Sequence, residues 1–292
     1  MLPHASVAEA HDVPAPLADA WRVYRANRGA MAGLIVVVAI VLVAIGGPLF
    51  YSVDPFDIAG APLTPPFDAV NPFGTDNLGR DILAGLLHGG RPSLLVGVAA
   101  ALMSSIIGIA IDSIGGFYGC RIDEALTRVT EFFQTLPALL FAMVIITLFG
   151  ATLATVTLAI GCVSWSPLAR LTRAEFLRIK QLEYVRAARS IGATNLFIAA
   201  RVILPNALPP IIVAATLAVG TAILFEAGLS FLGLTDPNVM SWGLMIGAGR
   251  TVMLEAWWPV TLPGILIFLT VLGISLIGDG LNDALNPRLR TR

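Results

Sequence analysis

An arginine-rich segment, EYVRAARSIGATNLFIAARVILPNA, covers residues 183–207 of a chain that is otherwise strongly apolar. Within it Ala187, Ala188 and Gly192 are small, which lets a short helix lie close against another protein, and the glycine can end or bend that helix. The arginines favour a second interpretation, in which an amphipathic helix lies on lipid headgroups. Taken alone, the segment predicts either a protein contact or a membrane-surface helix.

Residue types that support catalysis or metal binding are sparse. Cys120 and Cys162 lie on separate segments and form neither a metal-binding pattern nor a disulfide framework. His4 and His11 lie in a polar N-terminal tail that we expect to be disordered. The sequence has no G-x-x-x-x-G-K-[ST] phosphate loop, so it predicts no ATP site. We therefore expect no enzymatic activity, metal or cofactor in this chain.

The elements that must position the arginine-rich segment are membrane helices. Hydrophobic residues make up 57% of the 292 residues and charged residues only 13%, against about a quarter in soluble domains. A bilayer-spanning helix needs about 20 apolar residues, and no alternating pattern suggests a barrel. One run is long enough for two spans with a turn at Gly150, so the sequence predicts an all-α, six-span inner-membrane protein. The charge-free runs are 29–53, 92–111, 132–169, 202–225 and 256–278.

Cationic residues are distributed unevenly between the two sides of this arrangement. With the N-terminus inside and six spans, fifteen of the 18 lysines and arginines fall on the inside and three on the outside. An excess of such residues marks the cytoplasmic side, so we expect both termini in the cytoplasm. The outside residues are Arg80, Arg91 and Arg250, and the inside residues are Arg22, Arg25, Arg28, Arg121, Arg128, Arg170, Arg173, Arg178, Lys180, Arg186, Arg189, Arg201, Arg288, Arg290 and Arg292.

Four sections follow one another along the chain. Residues 1–28 form a cytoplasmic tail and a short basic helix, and residues 29–90 hold the first span and a long extracytoplasmic loop. The first span is too long for a signal-peptide core and lacks a small-residue cleavage site, so we expect it to remain uncleaved. Residues 91–285 hold the other five spans, with a short helix at about 183–200, and residues 286–292 form a cytoplasmic tail.

Three acids lie at or near the ends of predicted spans. Acids inside a membrane segment are costly and favour a role in a transport pathway. Their positions favour structural roles instead: Glu226 pairing near the outer mouth, and Asp112 and Asp279 near the inner ends. Prolines inside spans predict helix kinks. These prolines are Pro137, Pro167 and Pro263.

The arginine-rich segment resembles the cytoplasmic signature of ABC-importer permeases, in which an E-A-A triplet and a glycine precede I-x-L-P. Arg186 stands where the short form of that signature has glutamate. Glu183 lies three residues earlier, on roughly the same helical face. The matching positions are Ala187, Ala188, Gly192, Val202, Leu204 and Pro205.

Four more stretches resemble the C-type permease subunit of dipeptide and oligopeptide importers, and they occur in the order of that family. Asn282 and Asn286 stand where the family usually has arginine and aspartate. The stretches are NPFGTDNLGRDILAGLLHGGRPSLLVG (71–97), EAGLSFLGL (226–234), SWGLMIGAGR (241–250) and GDGLNDALNPRLR (278–290).

The resemblance implies a type I ABC-importer permease fold and a set of partners. A B-type permease would complete the translocation pathway, and two ATPase subunits, carrying ATP and Mg²⁺, would dock on the coupling helix. An extracytoplasmic binding protein would deliver peptide, lipids would surround the spans, and no nucleic acid takes part. The residues implied in coupling are Glu183, Ala187, Ala188, Gly192, Leu204 and Pro205.

The outside segments are the expected docking surface for the binding protein, because they are the only sizeable stretches on that side. Acids in the long loop could attract a basic rim on the binding protein. The expected docking residues are Asp54, Asp57, Asp68, Asp76 and Trp242.

Three alternatives to a peptide importer have different requirements. A related importer for nickel or another small solute shares much of this sequence. A self-contained secondary transporter would need more spans and buried ionisable residues. A membrane scaffold without transport activity would leave the coupling-type motif unexplained.

Overall fold

The computed structural model describes residues 17–285. The expected tails at 1–16 and 286–292 lie outside the described residues. Between them the regular structure is helical, apart from two isolated bridges that join Ile58 to Arg80 and Thr75 to Asp81. A π-helical turn, Ile198–Ile203, joins α9 to α10. The helices are α1 (Leu17–Ala26), α2 (Arg28–Phe50), α3 (Ile82–Tyr118), α4 (Cys120–Thr135), α5 (Ala138–Phe149), α6 (Leu153–Val163), α7 (Ser166–Lys180), α8 (Glu183–Ser190), α9 (Asn195–Phe197), α10 (Leu204–Phe231), α11 (Trp242–Gly249) and α12 (Trp258–Leu285).

Four helical segments are long and apolar enough to cross a bilayer: α2, α3, the continuous α9–α10 segment, and α12. Two further crossings are possible as bent pairs, α4 with α5 at 86° and α6 with α7 at 40°. The structure therefore contains four such spans in residues 17–285, or six if each bent pair counts as one span. The turn predicted at Gly150 is present, because α5 ends at Phe149 and Gly150 is its C-cap.

The third span differs most from its prediction. The sequence predicts one apolar span in the part of the 132–169 run before Gly150, but residues 132–135 belong to the amphipathic α4 and the apolar α5 begins only at Ala138. Leu136 between them is extended, with φ −76° and ψ 132°. A residue before proline avoids the helical region because the ring clashes with it. This clash favours a break before Pro137, and in the structure two separate helices meet there.

Both described ends of the chain lie at the same end of the bundle. The Tyr24 ring packs on Gly280 of α12, and the Asn27 side chain donates to Asp283 at 3.0 Å. α2 runs from there to the start of α3, where the Tyr51 hydroxyl donates to Asp81. One end of the bundle contains the start of α2, the end of α12, and α8, and we call it the α8 end. We call the opposite end the loop end.

α3 is the central helix and packs directly on α2, α6, α7 and α10. Its approach to α7 is close at Gly108, where a Cβ atom would lie 2.9 Å from the backbone nitrogen of Ala169. Only glycine allows this backbone contact. α3 therefore holds α7, and the segment that follows it, in a defined position.

Candidate functional site

α8 is attached to the bundle along one face. It follows α7 after a two-residue turn, and its Val185 side chain is only 1% exposed. Val185 packs in a cluster with Phe176 and Ile179 of α7 and with Ile198 and Ile203 of the π-helical turn. A displacement of α8 would therefore act on α7 and on the start of α10 together.

Gly192 ends α8 by its backbone conformation. Its φ is +85°, its N–H donates to the Arg189 carbonyl at 3.1 Å, and the Ala193 N–H donates to the Ala188 carbonyl at 3.1 Å. This pair of bonds is a Schellman motif, which needs a left-handed residue. The helix predicted at about 183–200 is divided at this glycine: α8 stops at Ser190, and a new helix starts at Asn195 with Thr194 as its N-cap.

The predicted coupling residues divide between an outward and an inward face. Glu183 and Ala187 are exposed, whereas Ala188 is half-buried and packs in the same cluster as Val185. Ala188 therefore faces the protein's own core. Leu204 and Pro205 form the first turn of α10, as expected from a proline at a helix start.

Apolar side chains beside α8 complete its outward face, and the sequence prediction missed them. The Ile191 side chain is 85% exposed, and those of Leu196 and Phe197 are also exposed. Exposed apolar groups that cluster mark protein or membrane contacts. The sequence could have revealed them, because they are apolar residues inside a charged segment. We call Glu183, Arg186, Ala187, Arg189, Ile191, Leu196 and Phe197 the α8 surface.

Charged side chains brace the helices beneath α8. Arg173 of α7 donates to both carboxylate oxygens of Asp123 in α4, at 2.5 and 2.7 Å. Lys180 donates to the Phe117 carbonyl at the end of α3. Asp112, expected near an inner helix end, is buried in α3, and its two oxygens have no hydrogen-bond partner within the described residues. The bidentate ion pair fixes α4 against α7.

At the loop end, the segment between α2 and α3 is ordered without regular secondary structure. The buried Thr75 hydroxyl donates to the Ala61 carbonyl at 2.6 Å and accepts from the Thr64 N–H at 2.9 Å. The Trp258 indole donates to the Thr75 carbonyl at 3.0 Å. Burial and the Asp81 carboxylate raise the pKa of Tyr51 to about 12. These bonds tie the loop to the start of α12.

Three of the acids expected at a docking surface have local structural roles. Asp54 accepts from the Phe56 N–H at 2.8 Å, and Asp68 accepts from the Val70 N–H at 3.1 Å. Asp76 accepts from two backbone N–H groups that follow it, both at 2.8 Å. Such bonds are typical of aspartate in turns. Asp54, Asp57 and Asp68 are exposed and Asp76 is half-buried.

The prediction that Trp242 is a docking residue is wrong. Its side chain is 1% exposed, its indole N–H donates to the Leu86 carbonyl at 2.9 Å, and its backbone N–H donates to the Ser93 hydroxyl at 3.1 Å. It anchors α11 to α3. Exposed apolar groups of this end include Ile58, Phe67 and Val70 in the long loop, and Leu254 and Trp257 between α11 and α12.

Glu226 ties α11 to α10 from inside the protein. Its side chain is 1% exposed, and one carboxylate oxygen accepts from the Ser230 and Ser241 hydroxyls, both at 2.9 Å. Ser241 is also the N-cap of α11. The structural role expected for Glu226 therefore takes the form of hydrogen bonds to two serines.

The fold is that of an ABC-importer permease. The chain superposes on a subunit of the MetNI methionine ABC transporter, in an inward-facing conformation, with a TM-score of 0.57 and 16% identity over 69% of this chain and 96% of that one. This likeness shows the fold alone.

The chain belongs to the family of binding-protein-dependent transport system inner membrane components, which residues 105–291 match. Residues 15–66 match the N-terminal TM domain of oligopeptide transport permease C. The protein is therefore a multi-pass inner-membrane transport component, and the resemblance read from the sequence is confirmed.

Three curated relatives cover nearly the whole chain. The di/tripeptide transport system permease protein DppC of Pseudomonas aeruginosa is 40% identical over 95% of this chain and 94% of that protein. The dipeptide transport system permease protein DppC of Bacillus subtilis is 39% identical over 93% and 86%. The oligopeptide transport system permease protein OppC of Escherichia coli is 38% identical over 93% and 91%.

Proposed function

We propose that this chain is a permease subunit of an ATP-driven importer of short peptides. With a B-type permease it forms the pathway for peptides that an extracytoplasmic binding protein delivers. Support comes from the relatives named as di/tripeptide, dipeptide and oligopeptide permeases. Nickel or another small solute is the alternative cargo, and the experiment below separates the two.

The α8 surface carries the proposal for coupling. It presents cationic and apolar side chains outward, while Val185 anchors the opposite face to α7 and to the start of α10. Two partner ATPase subunits, which bind ATP and Mg²⁺, dock on this surface and on its counterpart in the B-type permease. The excess of arginine at this end supports a cytoplasmic location, and with it cytoplasmic termini.

The long loop carries the proposal for receptor docking. Asp54, Asp57 and Asp68 are exposed there together with Phe67, whose side chain is 94% exposed. Buried bonds such as that of Trp258 to Thr75 hold the loop in shape. A preorganised surface binds with less loss of conformational entropy than a mobile one.

The test is uptake by the complete transporter in proteoliposomes, with the binding protein outside and ATP inside. We expect import of dipeptides, tripeptides or short oligopeptides and no import of Ni²⁺. Import of Ni²⁺ without peptide would overturn the proposed cargo.

Matched alanine variants test the coupling surface in the same system. Ala187→Phe adds volume on the α8 surface, and Ala174→Phe adds it at an exposed position of α7. Overpacking a contact typically costs about 1–3 kcal/mol, so we expect Ala187→Phe to weaken ATPase co-purification and Ala174→Phe to have little effect. Equal behaviour of the two variants would contradict a contact at Ala187.

A further inference from the structure

A cleft of about 510 Å³ opens where the two bent helix pairs meet α10. It lies beside the break between α4 and α5, at Leu136, and the break between α6 and α7, at Ser164. Its third wall is the middle of α10, from Ala214 to Phe225. The volume is in the range of small-molecule sites, about 300–1,000 Å³.

Both breaks place non-helical backbone next to the cleft. The end of α4 leaves carbonyls without intrahelical N–H donors, although the Thr135 hydroxyl donates to one of them, that of Phe132. Pro137, which follows, has no N–H to offer. At the other break α7 starts without a side-chain cap and with Pro167 in its first turn. Irregular backbone inside a membrane occurs where it is buried in protein or lines a water-filled cavity, and not against lipid. The cleft is therefore not a lipid-facing groove.

The side chains that line the cleft are uncharged, and they include both polar and apolar groups. Gln134, Ser164, Ser166 and Thr221 supply hydrogen-bonding groups, between walls that include Phe133 and Phe225. Ser166 is buried, with 4% of its surface exposed. None of the described residues that line the cleft carries a charge.

Two contacts hold this lining in place. The Phe133 ring packs edge-on against Trp165 at 5.3 Å between centroids, across the two breaks. The Gln134 side chain accepts from Arg170 at 2.8 Å, which joins the end of α4 to α7. The cleft is thus braced by contacts that join α4 to the second break and to α7.

We propose that this cleft is a solute subsite on the translocation pathway, which takes one uncharged segment of the transported peptide: its backbone amide and an apolar side chain. Peptide N–H and C=O groups match the hydroxyls of Ser164 and Thr221 and the open backbone groups at the breaks. The aromatic walls accept the side chain. This inference rests on the proposed function.

An uncharged lining has a consequence for selectivity. A fixed charge would retain peptides of opposite charge and exclude those of like charge, because electrostatic interactions are strong away from water. No lining side chain is charged, and the Arg170 guanidinium that bonds Gln134 is not part of the lining. We therefore expect the cleft to pass peptides of different net charge.

Cysteine accessibility in the complete transporter tests the subsite. Cys120 and Cys162 are first replaced by serine, and Thr221→Cys is compared with Thr216→Cys, which lies on the same helix and does not line the cleft. The probe is a charged, membrane-impermeant methanethiosulfonate, applied to the complex in nanodiscs. We expect Thr221→Cys to react several-fold faster than Thr216→Cys. A saturating imported dipeptide, supplied with the binding protein, should slow that reaction several-fold.

Each outcome supports or overturns the subsite. An unreactive Thr221→Cys variant in a complex that imports peptide means that a helix of the B-type permease fills the cleft, and overturns the proposal. Reaction at the same rate with and without imported peptide also overturns it. A complex that imports no peptide, but whose Thr221→Cys variant reacts and is protected by another imported solute, contradicts the proposed function and leaves the subsite in place.

Discussion

The segments that form the two candidate docking surfaces are held to the bundle by different kinds of interaction. At the loop end, directional hydrogen bonds join segments far apart in sequence, as between Trp258 and Thr75 or between Ser241 and Glu226. At the α8 end, an apolar cluster around Val185 holds a short helix whose other face is open.

This difference indicates different mechanical roles. Hydrogen bonds weaken steeply when their geometry changes, and a buried polar group that loses its partner is costly. The hydrophobic effect is non-directional and depends on area. We therefore expect the long loop to be a rigid frame, as the proposed receptor docking requires, and α8 to shift slightly against α7 and α10 without losing its apolar contacts.

The largest expected effect is at the α8 end. Val185→Asp places a charge without a partner in an apolar cluster, at a cost of about 3–5 kcal/mol. We expect α8 to detach, ATPase co-purification to fall and uptake to be abolished. Val129→Asp, at an exposed valine of α4, is the control. Wild-type uptake by Val185→Asp would show that α8 does not need this anchor.

The loop end should respond to loss of the Glu226 carboxylate. Glu226→Ala leaves the Ser230 and Ser241 hydroxyls without their acceptor, which costs about 1–3 kcal/mol. We expect a lower thermal unfolding temperature in detergent, with ATPase co-purification unchanged. Glu226→Gln keeps an oxygen acceptor and should lose less. Equal losses in both variants would contradict a role for Glu226 as the acceptor of these two bonds.

Two substitutions at Gly192 distinguish an effect of backbone strain from an effect of contact with a partner. Gly192→Val forces a β-branched residue to φ +85°, at a cost of about 1–3 kcal/mol, and should weaken ATPase docking by unwinding the end of α8. Gly192→Asn adds volume, but asparagine tolerates this conformation, and a Cβ atom there meets nothing within 4 Å in this chain. We expect near-normal docking for Gly192→Asn. Loss of docking in both variants would instead reveal a close partner contact.

The smallest effect concerns Tyr51. Its pKa is raised to about 12 from 10.0, so the folded protein retains a proton that the unfolded chain releases between these values. The stability from this group is therefore present below pH 10 and is lost as the pH rises toward 12. Tyr51→Phe should cost about 1 kcal/mol at pH 8, and less at pH 11. A gap in unfolding temperature between wild type and variant that does not change with pH would contradict this.

Local features of the sequence predicted much of the helical framework. Long apolar runs predicted α2, α3, α10 and α12, because membrane spans must satisfy their backbone within one segment. Pro205 marked the start of α10, and small residues with a glycine marked α8. These signals depend on a few neighbouring residues, so one sequence is enough to read them.

Other predictions required knowledge of what lies opposite each residue. Trp242 lies in a segment predicted to dock the binding protein, yet α3 covers it with Leu86 and Ser93. Ala187 and Ala188 are identical neighbours, and only packing against α7 decides that Ala188 faces inward.

By itself the sequence determined the class of protein, most of the spans and the position of α8, since apolar length, proline and glycine act locally on the backbone. The tertiary structure alone decided the bend beside Pro137, because a proline permits either a kink or a break and packing selects between them. It also decided the uncharged cleft, where Gln134, Ser164 and Thr221 come together from three separate parts of the chain. Side chains so far apart in sequence meet only through helix packing, which local patterns do not encode.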